Sequence, residues 1–150
     1  MVTAYLLVKF FHILIAVVAL GSSAGLGIVL EFYGNHPTHG SFVLRAIERI
    51  VAFVVIPGYV LMLATGLWMA SQAWSFTVRW IEVALLLWAF GLALLGSSLA
   101  SLRAQRELLD AKGAGSTPYR RAAFLTRGLG AAAGFTVVAI LFLMVLKPWV

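Results

Sequence analysis

Few side chains in this sequence carry groups able to bind a metal or move a proton, and the first of them is Lys9-x-x-His12, near one end of the apolar run Tyr5 to Glu31. An ionisable residue inside such a run is a candidate functional residue by default. Neutral imidazole suits iron, so one chemistry open to His12 is axial ligation of a b-type haem. Lys9, Arg79 and Lys147 are then the basic side chains available to pair with haem propionates at a membrane surface. The plainer alternative is a structural hydrogen bond from His12 to a facing carbonyl or to Glu82. No second histidine occurs in the later apolar segments, which excludes a bis-histidine haem buried within one chain.

The remaining chemistry is sparse. His36 and His39 lie with Glu31 near a turn, and two histidines beside Pro37 and Gly40 read as polar loop residues rather than a metal site. There is no cysteine, hence no disulfide and no thiolate site. No Ser/His/Asp set, phosphate-binding glycine loop or paired carboxylate site is present, so hydrolase and kinase chemistry lack equipment. Enzymatic activity is therefore not the favoured expectation.

The elements that must position His12 are helices in lipid. A chain of 150 residues that is 63% hydrophobic and only 11% charged falls far from soluble globular averages. Apolar runs of about 20 residues or more are long enough to cross a bilayer. The predicted architecture is all-α: an antiparallel four-transmembrane-helix bundle, one membrane domain over 1–150, with helices over about 3–31, 41–70, 77–111 and 117–147. The start lacks the basic n-region of a secretory signal, so the first helix is expected to be uncleaved.

Within the first helix, Lys9, His12, Ala16, Ala19, Ser23 and Gly27 share one stripe, which turns His12 toward the bundle. Gly21-x-x-x-Gly25, with Gly27, lets a neighbouring backbone approach, and Gly130 and Gly134 do the same in the fourth helix. Ser41 is the expected N-cap of the second helix, whose Arg45, Glu48 and Arg49 are spaced for local pairing. Pro57 frees the Phe53 carbonyl and predicts a kink. Trp68, Trp74 and Trp80 form an interfacial belt. In the third helix Arg79 and Glu82, at i and i+3, are expected to pair, and the helix is expected to project into water beyond the bilayer. Thr117-Pro118 is read as N-cap and first helical residue of the fourth.

Topology follows from charge. Arg45, Arg49, Arg103, Arg106, Lys112, Arg120, Arg121 and Arg127 lie at one side, against Lys9, Arg79 and Lys147 at the other. The positive-inside rule places the eight in the cytoplasm and both termini on the outer side of a bacterial inner membrane. The formal charge of +6 is thus ascribed to the membrane surface, not to nucleic acid. Lys9, His12, Arg79, Glu82 and Lys147 would gather at the outer side, with His12 roughly 10–14 Å along its helix.

In order along the chain, Leu7-Val8-Lys9-Phe10-Phe11-His12, Arg45 to Arg49 leading into a Pro57-containing helix, Thr65-Gly66-Leu67-Trp68, Trp80, and Met144-Val145-Leu146-Lys147-Pro148 resemble the small bacterial four-helix integral membrane proteins of unknown function. That family is distantly similar to HemJ-type protoporphyrinogen oxidases and the copper-resistance D membrane domain, which open with a comparable Lys-x-x-His helix. The resemblance implies a haem-linked role for His12, while this chain lacks the histidine of the HemJ third helix and the Met- and His-rich segments of copper traffic. Two functions are expected: a non-catalytic accessory subunit of a larger membrane complex, or a haem b protein with His12 as ligand. The partners expected are the lipid bilayer and a membrane protein.

Overall fold

In the computed structural model, which describes residues 2–36 and 38–148, the chain is helical almost throughout. Pro37 of the expected turn lies outside the described residues. The helices are α1 (Val2–Tyr33), α2 (Gly40–Ile50), α3 (Ile56–Ala73), α4 (Arg79–Lys112) and α5 (Thr117–Leu146), with a π turn over Val51–Val55 joining α2 to α3. Four of the resulting spans are long and apolar enough to cross a membrane: Thr3–Tyr33, Gly40–Ala73, Arg79–Lys112 and Thr117–Leu146.

The π turn is how the chain accommodates Pro57. The Ile56 N–H donates to Val51 O, five residues back, so the register slips by one residue ahead of the proline. Immediately after it, Gly58 meets α1. A Cβ there would stand 2.9 Å from the Ala19 Cβ, so only glycine permits this approach.

The helix ends differ from expectation by one to three residues, the most at Ala73, where α3 outruns the expected end at residue 70. α2 starts at Gly40, not Ser41, because the chain folds tightly on itself: Gly40 N donates to His36 O at 2.9 Å, and a Gly40 Cβ would sit 2.9 Å from the Gly34 carbonyl oxygen. Ser41 is therefore no cap, and its hydroxyl is buried without a partner. α4 starts at Arg79, two residues beyond the expected Thr77. Ser116, not Thr117, occupies the N-cap of α5, which puts Pro118 in the first turn. α4 ends at Gly113, whose φ of 76° is a left-handed conformation that glycine adopts freely.

Facing pairs fix how the helices meet. His12 lies against Thr65 and Ala19 against Gly58 along α1 and α3. Ser101 faces Thr126, and Gln105 faces Tyr119, along α4 and α5. Leu44, Ile47 and Leu102 form a buried apolar cluster, with Leu26, Leu30 and Leu109 packed on it. α1 and α5 stay largely apart, which leaves a cleft between them.

Candidate functional site

His12 is 8% exposed, so its imidazole does turn into the chain rather than toward lipid. Its Nδ1 stands 2.7 Å from the Thr65 hydroxyl on α3. Thr65 donates its single hydroxyl proton to Leu61 O, one turn back, at 2.8 Å. With that proton kept on its own helix, the hydroxyl oxygen can accept from His12 in the tautomer that carries the proton on Nδ1. Gly66 makes room for the ring: a Cβ there would lie 3.3 Å from His12 Cε1. Histidine, hydroxyl and glycine thus form one unit across α1 and α3.

The other members of the expected outer cluster do not join it. Lys9, Arg79 and Glu82 are exposed. Arg79 and Glu82 form no ion pair among the described residues, and both side chains, being exposed, need no buried partner. Lys147 Nζ instead lies 5.0 Å from the centre of the Trp74 ring, and Trp74 meets Trp80 edge to face at 5.7 Å. The tryptophans and Lys147 therefore share one end of the molecule, as Tyr5 and Trp68 do at 6.5 Å.

At the opposite end the charges pair between helices rather than along one. Glu48 takes Arg103 at 2.8 Å and Arg106 at 3.2 Å, both from α4, in place of the expected pairing with Arg45 and Arg49. Glu31 takes Arg127 from α5 at 2.9 Å. Glu31 thus faces α5 rather than the histidines, and His36 Nδ1 accepts from the N–H groups of Thr38 and His39. No metal-ligating group of three or more occurs among the described residues.

The small residues divide into two sets. Gly21 and Gly25 are exposed on α1, outside the cleft, and a Cβ at either would meet nothing within 4 Å. Gly27, Gly130 and Gly134 line the cleft between α1 and α5, equally open.

Sequence reasoning missed the Tyr119 node. Tyr119 is 1% exposed, and its hydroxyl donates to Gly34 O (2.9 Å) or Asn35 Oδ1 (2.7 Å) while accepting from Gln105 Nε2 at 3.2 Å. It ties the first turn to the start of α5 across 84–85 residues of chain. Thr65 carries no local mark of its role, which appears only where α3 packs on α1.

No curated protein and no solved structure matches the chain. Residues 6–148 match the family described as "Predicted integral membrane protein (DUF2269)", and with nearly the whole chain covered the protein belongs to it.

Proposed function

We propose that the protein is a non-catalytic accessory subunit of a larger complex in a bacterial inner membrane, docked through the outward face of α1. The observation that carries this is the open Gly21-x-x-x-Gly25 face, where neither glycine meets any other helix of the chain. Small residues at this spacing let two helix backbones approach closely in lipid, where association depends on packing and not on the hydrophobic effect. The reading includes an antiparallel bundle with both termini outside and the arginine-rich loops in the cytoplasm. The register of His12 with Thr65, Gly58 with Ala19 and Ser101 with Thr126 supports the first, and the charge asymmetry the second.

The test is native electrophoresis of gently solubilised membranes. The wild-type protein should migrate in a large assembly, and a Gly21→Leu/Gly25→Leu variant should leave it. His12→Ala should remain in it. Migration of the wild type as a free protomer would overturn the proposal.

A second reading, a b-type haem protein, is favoured by the His12–Thr65 bond. Metal-bound histidines have one ring nitrogen fixed in this manner, and here Nδ1 is the nitrogen so fixed. Such a haem would supply one-electron transfer, with Lys9, Arg79 and Lys147 available to its propionates. The resemblance to the HemJ type lends the same reading support. Optical spectra of the purified native protein, oxidised and reduced, test it: a Soret band lost in His12→Ala is required, and a featureless spectrum excludes it.

A further inference from the structure

We infer that the cleft between α1 and α5 seats one acyl chain of a phospholipid whose head carries both a phosphate and a primary amine. The cleft encloses about 680 Å³, within the roughly 300–1,000 Å³ of ligand-sized sites. Small residues, Ser23 and Gly27 on α1 and Gly130 and Gly134 on α5, open the walls among larger apolar side chains such as Leu30 and Leu141, over a floor that includes Tyr59 and Gly91.

Length selects the chain. The cleft runs from Glu31 to Leu20 on α1 and from Arg127 to Leu141 on α5, about 16 Å and about 21 Å of helix. One leaflet of hydrocarbon is about 15 Å deep, half of an approximately 30 Å core. The cleft is therefore as deep as a single leaflet, and it begins at the arginine-rich end.

Charge selects the head. Glu31 and Arg127 line the rim and bridge its two walls, which blocks end-on entry by a helix while leaving the side toward lipid open. Arg127 makes that bridge through Nε to Glu31 Oε2 and keeps 38% of its side chain exposed, so its terminal N–H groups are not used by that bond. Guanidinium N–H groups match phosphate oxygens, and the second carboxylate oxygen of Glu31 can accept from an ammonium. A rim of one fixed cation and one fixed anion complements a zwitterion with donor hydrogens, which is phosphatidylethanolamine rather than phosphatidylglycerol. This face is separate from Gly21 and Gly25, so loss of lipid and loss of a partner are independently observable.

The test is native mass spectrometry of the full chain, delipidated in detergent and exchanged against phosphatidylcholine vesicles containing either phosphatidylethanolamine or phosphatidylglycerol. One phosphatidylethanolamine per chain should be retained by the wild type. Gly134→Leu projects its side chain into the cleft, where a Cβ meets no atom, and should lower retention about tenfold without unfolding the chain. Gly128→Leu, equally open but outside the cleft, should leave retention unchanged. Glu31→Gln should remove the preference for ethanolamine over choline. Retention that is unaffected by Gly134→Leu, a preference for phosphatidylglycerol, or no retained lipid would each overturn the assignment.

Discussion

Thr65→Val removes a hydroxyl and keeps the shape of the side chain, so it isolates the bond that holds His12. The Thr65 proton stays on its own helix at Leu61 O, which means that a single cross-helix hydrogen bond is at stake. Such bonds in membrane bundles contribute about 0.6 kcal/mol on average and about 1.7 at most. His12 is 8% exposed, so water is poorly placed to replace the lost acceptor, and the value belongs in the upper half of that range, about 1–1.5 kcal/mol. Thr65→Ser, which keeps the oxygen, should cost less than about half as much. The assay is reversible unfolding in mixed micelles of rising dodecyl sulfate fraction, run as a double-mutant cycle with His12→Leu. A coupling energy within about 0.3–0.5 kcal/mol, the scatter of independent sites, would refute the claim that Thr65 positions His12.

Gly58→Ala should destabilise by about 1–3 kcal/mol through overpacking, because its new methyl group meets Ala19 at 2.9 Å, and pairing it with Ala19→Gly should recover most of the loss in the same unfolding assay. Tyr119→Phe strands buried polar groups at Gly34 and Gln105 and should cost about 1–3 kcal/mol, with faster proteolysis of the 34–40 turn as a second readout. Glu48→Gln, where a carboxylate only 18% exposed meets two arginines, should cost about 1 kcal/mol, and added salt should shrink the difference in part. If Glu48→Gln proved more damaging than Tyr119→Phe, the charged contact and not the buried phenol would hold the basic end together.

The spans were legible because length and hydropathy are properties of a contiguous segment, and α1 departs from its expected bounds by only a residue or two. The inward turn of His12 was legible for a similar reason, since helical spacing grouped it with Ala19, which is also buried. Partners across helices were not. Nothing local distinguishes Thr65 from Thr126 or Thr136, and only the packing of α1 on α3 brings Thr65 to the imidazole. Glu48 was assigned to neighbours on its own helix by spacing, whereas interhelical packing presents it to Arg103 and Arg106. The proline was visible, but its resolution into a π turn depends on how tightly Gly58 must sit on Ala19. Gly21 and Gly27 likewise look alike in sequence and part company once α5 takes its place opposite α1.

The docking proposal is tested most directly by a photoreactive phenylalanine analogue placed in living cells at Ile28, an exposed position one turn from Gly25 that leaves both glycines intact. Crosslinking should yield one discrete protein adduct from Ile28, and from Val18 one turn before Gly21, with none from Phe90 on the exposed face of α4. Adducts to lipid alone from Ile28, or the same protein adducts from Phe90, would contradict it.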